Sequence, residues 1–327
     1  MLAFLARRLA GLALVMWLVT TLVFFLLRFS PGSPLFQMQG FSTSQESRDK
    51  LAEHLGLDDP LPVQYAHYLG RLLHGDLGRS IYNNRTVTSL ITGPLAVTLE
   101  LALVTALVWV AIGILLGALA AARPGGFLDG LVRVGSVVVV SIPSFWLGVV
   151  CVIVFGVRIP GVLPSSGWVP FGEDPVEHLR CLVLPVFVLG LGAGGIVART
   201  MRASLADALR SDHVAYARAA GLPERTILWR VAARGALLPT TTVAGLMMGM
   251  LVSGTVLVES VFRIPGMGRL TVGAFAGQDY PLATGCSLTI ALVFLLCNLV
   301  ADLVQFRLDP RLRASLTRRR AGTAVAA

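Results

Sequence analysis

Apolar residues along the 327-residue chain gather into six long runs, separated by stretches rich in polar and turn-forming residues. The runs lie at Leu9–Leu27, Leu95–Ala122, Leu131–Val157, Cys181–Ala198, Ala236–Val258 and Leu282–Phe306. A helix needs roughly 20 apolar residues to cross the hydrocarbon of a bilayer, so the pattern predicts six membrane helices. The first run follows Arg7-Arg8, is too long for a signal-peptide core and lacks a small-x-small cleavage site. It reads as an uncleaved first helix.

Composition strengthens this picture. The chain is 55% hydrophobic and only 14% charged, with a mean hydropathy of +0.76. So few charges cannot cover so much apolar surface in water, which excludes a water-soluble enzyme. The net charge is +9, and hydropathy assigns that excess to a lipid bilayer rather than to nucleic acid. Seventeen of the 27 basic residues fall on one side if the N-terminus is placed inside, seven of them between Arg199 and Arg234. Basic residues near helix ends are retained in the cytoplasm, so both termini are expected there. Lys50 is the only lysine and no Gly-Lys-Ser/Thr follows a glycine-rich loop, so the chain has no phosphate-binding loop of its own. It also lacks HExxH, Gly-x-Ser-x-Gly and paired intramembrane aspartates. Cys151, Cys181, Cys286 and Cys297 show no CxxC spacing and read as small buried hydrophobes.

Two polar stretches carry structure. The expected outer stretch, residues 29–93, offers a capping box at Thr43 and Glu46 for a helix ending near Leu55-Gly56. After Asp59-Pro60, the residues Tyr65, Tyr68, Leu69, Leu72 and Leu73 recur at helical spacing. The expected inner stretch, residues 199–235, contains an alanine-rich segment from Asp212 to Pro223. Asp212 can serve as N-cap, Gly221 can stop the helix in the left-handed conformation, and Pro223 can open the next helix. A short helix between two turns is therefore predicted. Chemistry alone leaves open whether it docks on a partner or merely fills a loop, since alanine is the best helix former.

The remaining polar features have structural readings beside functional ones. Pro143, flanked by Ser141 and Ser144, predicts a kink in the third helix, either self-satisfied or lining a pathway. Glu100, Glu259 and Asp302 sit near helix ends and are expected to be hydrated or paired. His54, His67 and His74 lie too far apart for one helical turn, and no metal site is assigned to them. Pro265, Gly266 and Gly268 predict a tight outer turn in which glycines take unusual backbone angles, and which can touch a partner. Arg318-Arg319-Arg320 reads as a disordered basic tail over residues 314–327.

Tyr216-Ala-Arg-Ala-Ala-Gly221-Leu, followed by Leu238-Pro239, resembles the "EAA" loop of binding-protein-dependent ABC importers, in the version of the dipeptide/oligopeptide/nickel permeases. Further resemblance lies in Leu55 to Tyr65, His74-Gly-Asp-Leu-Gly-Arg-Ser80, Ser141 to Gly148, Val258 to Gly268, Asp279-Tyr-Pro281 and Asp309-Pro-Arg311. It runs from about Arg7 to Arg313. The resemblance implies an all-α, type I importer-like transmembrane domain of six helices. Its organisation would be a first helix within 1–28, a helical extracytoplasmic cap over 29–93, and helices two to six over 94–313. The implied partners are a second, paralogous permease subunit, two ATPase subunits and an extracytoplasmic binding protein. ATP and magnesium would be held by the ATPases, with no cofactor on this chain. Asp212, Tyr216, Ala217, Arg218, Ala219, Ala220, Gly221 and Leu222 would form the coupling helix. In it, Ala219, Ala220 and Gly221 would permit close approach and Tyr216 and Arg218 supply contacts. Di- or oligopeptides are the expected cargo, with nickel or another small solute as variants. A self-contained carrier or channel is the rival, and it would want matched inverted repeats that are not evident.

Overall fold

The computed structural model describes residues 2–29 and 59–308. Its helices are α1 (Leu2–Phe29), α2 (Leu61–Leu73), α3 (Val87–Ala122), α4 (Phe127–Ser141), α5 (Ser144–Ile153), α6 (Pro175–Leu209), α7 (Asp212–Ala219), α8 (Glu224–Phe262), α9 (Met267–Ala276) and α10 (Tyr280–Leu308). Among the described residues there is no β-strand, only one isolated bridge between Arg79 and Thr86. Among the described residues, five helices are long and apolar enough to span a membrane, and α4 with α5 makes a sixth span if the bent pair is counted as one. The 36 residues of α3 extend over about 54 Å at 1.5 Å per residue, well beyond the ~30 Å of hydrocarbon.

The third run departs from the expected single helix. Ile142 and Pro143 adopt extended backbone, and the two halves meet at 90°. Proline cannot donate a helical hydrogen bond, and it biases the preceding residue away from the α region, so the chain breaks instead of kinking. Ser141 donates to the Val137 carbonyl at 2.9 Å, as its position suggested, whereas Ser144 takes the first helical position of α5 without a side-chain cap. The capping box at Thr43, the helix end at Gly56, His54 and the basic tail all lie outside the described residues.

The described chain divides into two compact units. In the first, residues 1–98 and 265–293, α2 forms where the tyrosine and leucine spacing predicted. Tyr65 and Tyr68 pack with Phe24 and Phe25 of α1, and the Tyr65 hydroxyl lies 2.6 Å from that of Thr21. Val23, Val87, Ile91, Met267, Tyr280 and Cys286 belong to its core. The His74–Ser80 and Asp279–Pro281 motifs meet here. Gly75 and Gly78 take positive φ, the Asp76 carboxylate accepts from the Gly78 N–H at 2.9 Å, and the Ser80 hydroxyl donates to the buried Asp279.

The second unit, residues 99–264 with 294 onward, is built around α6 and α8. Here α3 and α6 approach through Gly113, Gly117, Gly190 and Gly194. A Cβ on Gly113 would stand 2.9 Å from the Gly194 carbonyl oxygen, and one on Gly190 or Gly194 would overlap the Trp109 ring. Small residues spaced four apart let helix backbones close together where lipid provides no hydrophobic drive for association. The Trp109 indole also donates to the Val186 carbonyl at 2.8 Å.

Candidate functional site

The alanine-rich segment forms α7, a helix of eight residues bounded by turns at both ends. It starts one residue earlier than the capping reading placed it. Ser211 is the extended N-cap residue, while Asp212 is already helical and contributes an acidic group to the first turn. The Ser211 hydroxyl donates back to the Ala208 carbonyl at the end of α6, so no side chain caps α7. Its exit matches expectation. Gly221 has φ +76, its N–H donates to the Arg218 carbonyl at 3.0 Å, and the Leu222 N–H donates to the Ala217 carbonyl at 3.2 Å. That pair of bonds is the Schellman closure, which needs a residue in the left-handed region at the Gly221 position. Pro223, expected as the first residue of the next helix, is instead the extended N-cap of α8, and Glu224 is its first helical residue.

A salt bridge spans the turn. Arg218 donates to Glu224 through Nε at 2.7 Å and Nη2 at 3.3 Å, and this hydrogen-bonded carboxylate raises the guanidinium pKa. The two charges thereby compensate each other at the tip.

Burial divides the helix into two faces. Val214 and Ala217, three residues apart, are buried in a cluster with Ala118, Met201, Leu205, Ile227 and Ala236. Ala217, a member of the expected coupling helix, is an internal anchor. Asp212, Tyr216, Arg218, Ala219, Ala220, Gly221 and Leu222 are exposed, Tyr216 to 78%. A large aromatic ring and a strip of small side chains therefore stand outward on a helix fixed from behind. The start of α8 is wound as a π-helix over Ile227–Ala232, with Ile227 and Ala232 buried. Trp229 remains 42% exposed there, a feature the motif reading did not single out.

Glu100 has a partner that the sequence reading left unnamed. His178 of α6 is 1% exposed, and its Nε2 lies 2.8 Å from the Glu100 carboxylate while Nδ1 lies 2.8 Å from the Val169 carbonyl. A carbonyl can only accept, so Nδ1 is the donor to Val169. Trp168 and Phe171 pack edge-on against the imidazole. Glu100 is thus a paired group that ties α3 to α6, and His178 in turn holds the 159–174 segment against α6. Glu259 is fully buried near the end of α8, where its carbonyl accepts from Ile264 across the left-handed Arg263.

In the first unit, Gly266 is the extended N-cap of α9 with φ −97, and neither it nor Gly268 takes a positive φ. The predicted glycine turn is therefore a helix start, and the left-handed residue is Arg263 instead. Pro265 and Gly266 border an open concavity of ≈ 550 Å³ together with Ser80, Tyr82 and Asp279; Pro265 is exposed, and both Gly266 and Gly268 are buried. Ser141, Pro143 and Ser144 stay at the α4–α5 break, with Ser141 and Pro143 exposed.

A helical chain with five or six apolar spans and a short, anchored, outward-facing helix between two of them is a polytopic membrane component. Comparison with known proteins specifies it. Residues 113–314 match the family described as binding-protein-dependent transport system inner membrane component, and residues 1–102 match that family's N-terminal region. A protein of Brucella abortus (strain 2308) named a peptide transport system permease is 36% identical over 313 residues, covering 96% of this chain and 99% of that one. The probable peptide ABC transporter permease of Sinorhizobium fredii (strain NBRC 101917 / NGR234) is 32% identical over 95% of this chain and 99% of its own length. The probable D,D-dipeptide transport system permease of Escherichia coli (strain K12) is 35% identical over 94% and 96%. The chain belongs to this family of transport-system membrane components.

Proposed function

We propose that the chain is one permease subunit of an ATP-driven importer of di- or oligopeptides and forms half of the translocation pathway beside a second, paralogous permease. Both termini and the α6–α8 connection lie in the cytoplasm, in keeping with the arginine distribution. Two separate ATPase subunits hold ATP and magnesium, and a binding protein delivers substrate from outside; this chain binds no cofactor. The peptide assignment is supported by the names of the relatives.

One observation carries the mechanism. α7 joins an outward strip of small residues to two side chains, Val214 and Ala217, buried against α3, α6 and α8. A push on the strip is transmitted directly into the spanning helices, because a close-packed interior shifts between discrete arrangements and does not absorb displacement. ATPase closure would thereby bias the bundle between inward-open and outward-open states.

Co-purification tests this reading. Tagged chain expressed with its neighbouring genes is expected to bring down ATPase subunits and a second permease, and the reconstituted assembly to accumulate peptide only with ATP. Capture of neither partner, or ATP-independent transport, would contradict it.

A further inference from the structure

The neutral tip of α7 contrasts with its flanks. Arg218 is paired with Glu224, but Arg199, Arg210, Arg225, Arg230 and Arg234 are exposed and make no hydrogen bond or ion pair among the described residues. Against these stand two exposed acidic residues of the same stretch, Asp207 and Asp212. Three of the five arginines precede the apolar part of α8, which begins at Ala236, and Trp229 is exposed among them. The π-helical winding of 227–232 bears on their placement. Arg225 lies in the α-helical turn just before it, so Trp229, four residues on, comes onto nearly the same side, and the wider π winding brings Arg230 closer to them than an α-helix would.

We propose that Arg225, Trp229 and Arg230 form a binding surface for anionic phospholipid headgroups of the leaflet that α8 enters. The placement at the cytoplasmic leaflet rests on the orientation under Proposed function. Charge complementarity selects the occupant. A guanidinium can grip phosphate through two parallel N–H donors, and an indole prefers the headgroup level, where its ring is apolar-packed and its N–H stays wet. The ATPase is offered the internally neutralised tip instead. Each arginine near an anionic surface strengthens its association roughly fivefold.

The test uses the full chain in nanodiscs of phosphatidylcholine with 30% phosphatidylglycerol, with one lipid at a time carrying bromine on its chain as a quencher. The Trp229 contribution is isolated by subtracting the Trp229→Phe protein. Brominated phosphatidylglycerol is expected to quench that contribution several-fold more than brominated phosphatidylcholine. The preference should fall to near unity in R225Q/R230Q and return in R225K/R230K. Equal quenching by both lipids, or a preference unchanged by the glutamine pair, would overturn the proposal. So would loss of ATPase capture by R225Q/R230Q with no lipid preference in the unaltered protein, which would assign these arginines to the ATPase. Nanodiscs present the same lipid on both faces, so the result does not depend on topology or on a functioning importer.

Discussion

Replacing Gly221 with valine should reduce ATP-driven uptake by at least tenfold while leaving the yield of folded protein nearly unchanged. Gly221 sits at φ +76, where an L-residue costs about 1–2 kcal/mol and a β-branched one more. A Cβ there would meet nothing within 4 Å, so no clash adds to the cost and the bundle is not disturbed. The strain falls on the Schellman closure from Arg218 and Ala217 to Gly221 and Leu222. About 2 kcal/mol shifts the loop's conformational equilibrium roughly 30-fold, enough to leave the docking strip misoriented most of the time. Asparagine tolerates the left-handed region, so Gly221→Asn should retain most of the uptake. Equal activity of the valine and asparagine variants would contradict the assignment of coupling to this loop.

Gly190→Ala should be the most damaging single-methyl change in the spanning region. The added Cβ would overlap the Trp109 ring, which is itself held by its bond to the Val186 carbonyl. Overpacking usually costs about 1–3 kcal/mol, and a rigid indole between two helix backbones cannot swing aside as a flexible chain end can, so the cost should lie at or above that range. The expected result is loss of the monodisperse peak in size-exclusion chromatography and a markedly lower Tm. Gly192→Ala supplies the control on the same helix: its Cβ would meet nothing within 4 Å, so its effect should be within about 0.5 kcal/mol. Adding Trp109→Leu to Gly190→Ala should recover part of the lost stability, because residues in contact are non-additive. Equal tolerance of both alanine changes would mean that α3 and α6 do not meet at this notch.

Features set by nearby residues were legible in the chain. Gly221-Leu222-Pro223 punctuates α7 correctly because the left-handed stop and the proline restart are local events. The start slipped by one residue because Ser211 spends its hydroxyl on the preceding helix, a choice made by the geometry of two adjoining turns. Pro143 marked the third run, but the full 90° break depends on Ile142 becoming extended as well. Partners distant in sequence were not legible. Trp109 finds Gly190 and Gly194 some 80 residues away, and Glu100 finds His178 at a similar distance. An isolated histidine beginning one apolar run and a carboxylate beginning another was the available hint for that pair. The two faces of α7 were also hidden, since alanine at 217 and at 220 look alike until burial separates them.

That separation permits the most direct test of the central claim, that separate ATPases drive this chain through α7. Cys151, Cys181, Cys286 and Cys297 are all free, so a background lacking them can be prepared and single cysteines placed at Ala220, which is exposed, or Ala217, which is buried. With the co-expressed ATPase subunits assembled, a short bifunctional reagent reacting with thiol and amine should link Ala220→Cys to an ATPase subunit in high yield and leave Ala217→Cys unlinked. ATPase subunits that remain bound yet form no link with cysteines at Tyr216, Ala219 or Ala220 would show that the drive enters elsewhere.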